Sequence, residues 1–318
     1  MTLPQKIATV FGGTGFIGRY VVRDLARLGY TVKVATRLPE CAYFLRPYGV
    51  VGQIVPFTTN LRDTASIDQA IAGSELVVNC VGTLNQNRRN KFRRIHGEVP
   101  AMIAASAAKF GVSRLVHISS MGADKAMSQY AKTKLEGEKK LLEHFPGATI
   151  LRPSVVFGPE DRFFNLFASM AQKFPALPLI GGGRTKFQPV YVGDVSAAVV
   201  SALLRPDTFG GIYELAGPET LSFRDIYEAV FKWTGHKRAL VSLPFGLAKF
   251  KAFFLQMIPG KPLTPDQVES LKVDNVASQY ALGLADLGIV PTGMELIVPG
   301  YLERFRSGGR FSEKSVAA

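Results

Sequence analysis

Cysteine is scarce: Cys41 and Cys80 are the only two in 318 residues, so neither a disulfide framework nor a thiolate metal site organises the chain. The four histidines, His96, His117, His144 and His236, are scattered without ligand spacing, and no metal site is expected. No apolar run reaches the roughly 18 residues that a transmembrane helix needs. Only Met1 to Gln5 precede the first strand-like run, so no signal peptide is expected. Acid is in short supply, with 25 Asp and Glu against 38 Lys and Arg, a formal charge of +13. That excess suits a nucleic acid, an acidic membrane surface or an acidic protein partner. The densest basic run is Arg88-Arg89-Asn90-Lys91-Phe92-Arg93-Arg94. It holds one aromatic and opens a helical stretch, which favours a solvated or docking face over stacked bases, and nucleic acid is not the expected partner.

What is present is a core and a cradle. The composition is 47% hydrophobic and 20% charged, which allows a sizeable core and excludes global disorder. Ile7 to Phe11 is a short β-branched apolar run, as in a strand buried on both faces. Gly12-Gly13-Thr14-Gly15-Phe16-Ile17-Gly18 follows, then an amphipathic helix from about Phe16 to Leu28 that stops at Gly29. Gly12 suits a tight turn, Gly15 lets backbone approach a pyrophosphate, and Gly18 lets helix and strand pack closely. Strand, glycine turn and helix in that order predict a dinucleotide site. The next strand, Thr31 to Thr36, ends at Arg37, where NAD-preferring enzymes place Asp or Glu for the ribose 2′-hydroxyl. A guanidinium there suits a 2′-phosphate, so NADPH is the expected cofactor.

Further β-α steps follow. Strands are expected over Gln53 to Phe57, Leu76 to Cys80, Leu115 to Ser119 and Thr149 to Leu151, with a helix from Phe92 to Phe110 kinked at Pro100. After His117-Ile118-Ser119-Ser120, the run Tyr130-Ala131-Lys132-Thr133-Lys134 sets tyrosine and lysine one helical turn apart on one face. An ammonium beside a phenol lowers its pKa. Tyr130 is then the candidate proton donor and acceptor, with Ser120 orienting the substrate oxygen and Lys134 supporting both. Asp194 is expected to cap a helix from Val195 to Leu204, and Ser222 and Thr264 to cap two more. The stretch 244–259 is apolar nearly all round, with Lys249 and Lys251 placed to snorkel; it suits a membrane surface or, equally, a core helix.

The G-x-x-G-x-x-G spacing and the Ser-Tyr-Lys order resemble the extended and atypical short-chain dehydrogenases/reductases. Within them, the chain resembles the branch of the NAD(P)H-binding accessory subunit of respiratory complex I and its bacterial relatives. The supporting runs are Phe11 to Val22, Leu45-Arg46-Pro47, Phe157-Gly158-Pro159-Glu160-Asp161-Arg162-Phe163, Gln188 to Val192 with Asp194-Val195, and Leu263-Thr264 with Asp266-Gln267-Val268. The resemblance implies a Rossmann doubly wound parallel sheet over residues 1–159 and a smaller C-terminal α/β region over 160–306 that returns to the sheet; the Gly/Ser-rich composition of 307–318 predicts a disordered tail. It further implies Asn60 beside the adenine, Val81-Gly82 and Pro153 passing the cofactor, and Lys134 holding the nicotinamide ribose. One departure stands out. The segment Met121 to Gln129 is shorter than in active extended members, which argues against a sugar-nucleotide substrate. The branch implies a tightly held NADPH outside the main electron path, and partners in complex I or a quinone-linked membrane assembly. The implied location is cytoplasmic, peripheral on the inner face of the inner membrane (the matrix side in a eukaryote). The alternative is a free-standing NADPH-dependent oxidoreductase or epimerase.

Overall fold

The computed structural model describes residues 6–86, 91–257 and 263–309. Arg88, Arg89 and Asn90 of the basic run and residues 310–318 of the tail lie outside the described residues. The chain divides into two compact units: residues 1–153, 192–215 and 277–290 form the first, and 154–191, 216–276 and 291–318 the second.

Seven parallel strands carry the first unit: β1 (Ile7–Phe11), β2 (Thr31–Thr36), β3 (Ile54–Thr58), β4 (Leu76–Asn79), β5 (Arg114–Ile118), β6 (Thr149–Pro153) and β7 (Ile212–Leu215). Their order is β7-β6-β5-β4-β1-β2-β3, so the winding reverses between β1 and β4. That reversal opens a crevice at the carboxyl ends of the strands, the place where such sheets bind ligands. One face carries α2 (Thr64–Ile71), α3 (Val99–Lys109) and α4 (Gln129–His144), whose Ile67, Ile71, Ile103 and Leu141 pack with Phe11, Val77 and Leu115. Elsewhere α1 (Phe16–Arg27) lies against α6 (Val192–Leu204), tied by Ser196 Oγ donating to Asp24 at 2.7 Å.

The second unit is an aromatic core under short elements. Phe157, Phe164, Phe167, Phe187, Phe223, Tyr227 and Trp233 are buried together. They come largely from α5 (Phe163–Lys173) and α7 (Phe223–Thr234), with α8 (Phe245–Leu255), α9 (Pro265–Ser270) and α10 (Met294–Leu302) around them. Asp161 accepts from the backbone N–H of Phe164 (2.8 Å) and of Gly158 (3.2 Å) and from the Tyr301 hydroxyl. The strands Ala176–Ile180 and Ala239–Leu243 pair in parallel. Ser222 and Thr264 both form capping boxes, with Asp225 and Gln267.

Two expectations are corrected. Asp194 is not an N-cap: α6 begins at Val192, and Asp194 lies within its first turn, 8% exposed. Buried Val192 and Val195 start the helix by packing, and local cap preference yields to that. Nor is the helix after Phe92 kinked at Pro100. The irregularity is a π-helix, Arg93–Glu98, which runs into α3, where Pro100 occupies a first-turn position that needs no N–H donor. Of the stretch 244–259, residues 258 and 259 lie outside the described residues; within α8, Ala248 and Ala252 are buried, while Leu247, Phe250, Phe253 and Phe254 are exposed.

Candidate functional site

The β1–α1 turn is built for close backbone approach. Gly12 has φ +74°, and a Cβ on it would lie 2.8 Å from the Cys80 carbonyl oxygen at the end of β4. A Cβ on Gly18 would lie 2.2 Å from the Gly12 oxygen, so α1 reaches its strand only with glycine there. Gly15 N–H donates to Gly12 O at 2.9 Å, and a Cβ on Gly15 would meet only that oxygen, at 3.1 Å. Gly15 is also the α1 N-cap and brings no side chain to the first turn, which contains no acid. Phe16 and Ile17 open the helix there. Uncapped N–H groups and the positive helix end together make an anion cradle, so the turn fits a pyrophosphate.

The adenine side follows from β2 and β3. Arg37 stands exposed immediately after β2, beside Ala35 and Thr36. Asn60 is exposed past β3, its Oδ1 accepting from Arg62 N–H at 3.1 Å and its own N–H donating to Ser66 Oγ at 2.9 Å. Asp63 caps α2 through the Ala65 N–H at 3.0 Å.

At the other side of the crevice the loop after β4 meets α4. Asn79 Oδ1 accepts from Val81 N–H at 3.0 Å, which turns the chain through Val81-Gly82-Thr83. A Cβ on Gly82 would lie 3.7 Å from Lys134 Nζ, so this loop passes over the lysine. Lys134 is 3% exposed and donates to the Ile118 carbonyl at 3.0 Å. Burial lowers its pKa to about 8, and it still carries a proton at neutral pH. Tyr130 is half-buried, and its hydroxyl bonds the Ser120 side chain. Its pKa is raised: burial pushes it up more than the Ser120 bond pulls it down. The sequence spacing predicts the opposite, a lowered value, because spacing registers the lysine and not the desolvation. Pro153 ends β6, its carbonyl accepting from Met121 N–H at 2.9 Å, which holds the segment after Ser120 against that strand. Cys80, pushed up to about 12 by burial, is no thiolate.

Three features escape the sequence. Arg152, 8% exposed, pairs bidentately with Glu138 of α4 (3.0 and 2.7 Å) and also with Asp124 (2.7 Å). His117 is fully buried on β5, where burial and the charge of Lys134 keep it neutral. His96 sits between the Thr83 loop and α4, accepting from Thr83 N–H at 3.1 Å. All three depend on contacts distant in sequence: Arg152 stands in an Arg-Pro run that resembles a family signature, but nothing local names its partners or those of the two histidines. Of the basic run, Lys91 and Arg93 are exposed, as a solvated face requires.

Comparison with known proteins follows the same lines. Residues 8–216 match the NAD dependent epimerase/dehydratase family. Over 316 residues the chain is 35% identical to the mitochondrial NADH dehydrogenase (ubiquinone) 1 alpha subcomplex subunit 9 of Arabidopsis thaliana, covering 95% of this chain and 79% of that one. The mitochondrial NADH-ubiquinone oxidoreductase 40 kDa subunit of Neurospora crassa is 33% identical, over 98% of this chain and 82% of its own. Among solved structures, an NADPH-dependent quinone oxidoreductase from Escherichia coli complexed with NADPH superposes with a TM-score of 0.74 at 20% identity, covering 93% of this chain and 99% of that one. That likeness is one of fold.

Proposed function

Because the chain belongs to the NAD dependent epimerase/dehydratase family, we propose that it holds NADPH as an accessory subunit or assembly factor of complex I, NADH:ubiquinone oxidoreductase. The observation that carries this is the 35% identity, over 95% of the chain, to a subunit named for the 1 alpha subcomplex of that assembly. Gly12, Gly15 and Gly18 would cradle the pyrophosphate against the first N–H groups of α1, at Phe16 and Ile17. Arg37 would face the 2′-phosphate and Asn60 the adenine. Val81, Gly82 and Pro153 would pass the nicotinamide end, with Tyr130 and Lys134 on its ribose. When bound, the nicotinamide offers hydride-transfer chemistry. Lys134 spends one of its three N–H donors on the Ile118 carbonyl, which leaves two for the ribose, and Tyr130 stays a neutral phenol able to donate a hydrogen bond there.

The second part of the proposal concerns place. The exposed aromatic face of α8, with Lys249 and Lys251, suits the interfacial zone of an anionic bilayer. No helix among the described residues is long and apolar enough to cross a membrane, so the contact would be peripheral. The face would be the inner one of the inner membrane, or the matrix side in a eukaryote. A second reading rests on the Ser120–Tyr130 hydrogen bond with Lys134 one turn on. In it the chain is a free-standing NADPH-dependent oxidoreductase or epimerase, Ser120 orienting a substrate oxygen and Tyr130 exchanging its proton.

Affinity purification of the wild type and of Arg37→Asp from gently solubilised membranes tests both parts. Complex I subunits should accompany the wild type, and the nucleotide extracted from it should be NADPH. Arg37→Asp should lose NADPH affinity by about tenfold or more while sparing NADH. Equal loss of both nucleotides would remove the 2′-phosphate role, and a clean soluble monomer would move the weight to the enzyme reading.

A further inference from the structure

We propose that His96 is a positioning residue that ties the Val81–Thr83 loop to α4 and so sets the nicotinamide end of the candidate site. This rests on the dinucleotide reading above. The residue reaches its place by an unusual backbone route. The π-helix Arg93–Glu98 closes its hydrogen bonds over one more residue than an α-helix, as in the Val99 N–H donating to Arg94 O. Such segments are less stable than α-helix and recur where a side chain must be placed. The opposing helix is shaped to receive it. A Cβ on Gly137 would lie 1.7 Å from the His96 carbonyl oxygen, so α4 descends onto the π-helix only because position 137 is glycine.

The ring is held at both nitrogens. Nε2 accepts from Thr83 N–H at 3.1 Å. Nδ1 lies 3.3 Å from Thr133 Oγ1, whose single proton points to the carbonyls of Gln129 (2.8 Å) and Tyr130 (3.0 Å). The hydroxyl oxygen is therefore the acceptor, and Nδ1 carries the proton. This fixes one neutral tautomer, in which one nitrogen accepts from the loop and the other donates to the helix. A doubly protonated ring would turn Nε2–H against Thr83 N–H. Burial first, and then the charge of Lys134, oppose that protonation. The ring stacks on Phe92 (centroids 5.2 Å apart, 18° between planes) and presents its face or edge to Tyr130 (5.1 Å, 84°). His96 thus touches the loop above Lys134 through a hydrogen bond and the Tyr130 ring through packing. A shift of this one side chain moves both.

Two conservative variants separate the contacts. His96→Gln places an amide oxygen near the Nε2 position and keeps the bond from Thr83. His96→Asn keeps a donor near Nδ1 for Thr133 and cannot reach the loop. His96→Leu keeps neither. NADPH affinity, read from nicotinamide fluorescence, should fall about tenfold in the Asn and Leu variants and return to within about threefold in Gln. Affinity for 2′,5′-ADP, which probes only the adenine half, should stay unchanged in all three. Unaltered NADPH affinity in Asn and Leu, parallel loss of both ligands, or a Gln variant no better than Leu would each overturn the role. Should Leu fail to fold, the Gln–Asn contrast decides alone. A wild type that binds neither NADPH nor NADH would defeat the dinucleotide reading and this proposal with it, whereas wild-type binding with indifferent variants defeats only the proposal.

Discussion

The two compact units bury different chemistry. In the first, His96, His117, Lys134, Glu138 and Arg152 are all under 10% exposed, set among the strands and helices that hold the crevice. In the second the interior is aromatic, and among the described residues Asp161 is its buried charged side chain. The second unit also turns aromatics outward, along α8. Burying charge costs several kcal/mol unless each group is paired, while burying phenyl rings stabilises directly. The first unit therefore depends on keeping these groups paired or neutral, and the second presents apolar surface that something else can cover. Such a division suits a protein that grips one small ligand with one unit and meets a large surface with the other.

The sharpest break in that contrast is at Arg152. Glu138→Ala leaves the buried guanidinium with Asp124 alone, whose side chain is 40% exposed. The unfolding free energy should drop by about 3–5 kcal/mol in urea titrations, the cost of stranding one member of a buried pair. A drop under about 1 kcal/mol would mean that water solvates the arginine and that the first unit does not bury charge in the sense argued.

A smaller effect sharpens the comparison through pH. His96, lowered to about 3, and His117, also well below its usual value, are neutral in the fold. The unfolded chain titrates both near 6.5. Between these values the unfolded state binds more protons, so stability rises with pH and is lost as pH falls below about 6.5. Each histidine contributes up to about 1.4 kcal/mol per pH unit in that window. Asp161 acts oppositely: burial raises its pKa, so its contribution is complete below about 3.8 and is lost as pH rises through the raised value. Unfolding measured from about pH 4 to pH 7 should steepen in Asp161→Asn and flatten in His96→Gln. If both slopes match the wild type, neither buried group is held in the state described.

The legible part of this molecule is the part set by neighbours in sequence. Thr31–Thr36 is a strand at its expected bounds, Gly12 takes the positive φ of a tight turn, and Gly18 packs on the backbone of Gly12 and Gly13, because these depend on near neighbours in the chain. Ser222 and Thr264 cap their helices for the same reason. Legibility fails where packing overrules local preference or where a contact joins distant segments. Asp194 has a cap's composition but sits inside a helix begun by buried valines. Nothing around Glu138 announces Arg152, and nothing around Gly97 announces a π-helix beneath Gly137. Tyr130 shows the limit within the site itself: its spacing to Lys134 is written in the chain, but the desolvation that reverses its pKa shift comes from the fold.

The smallest stability effect should come from the surface that the second unit turns outward. Phe250 and Phe254 are 64% and 54% exposed and pack edge to face with each other, centroids 5.3 Å apart. Replacing both with serine removes little buried area, and serine and phenylalanine have similar helix propensities. Urea unfolding should therefore change by no more than about 0.5 kcal/mol per site. Vesicles containing an anionic phospholipid should nonetheless retain the double variant several-fold less than the wild type, because the rings that would enter the interface are gone while Lys249 and Lys251 remain. Added salt should then release most of what binding is left, as a purely electrostatic contact requires. A stability loss above about 1.5 kcal/mol would instead place these rings in the core, and the contrast between the two units would collapse at its exposed end.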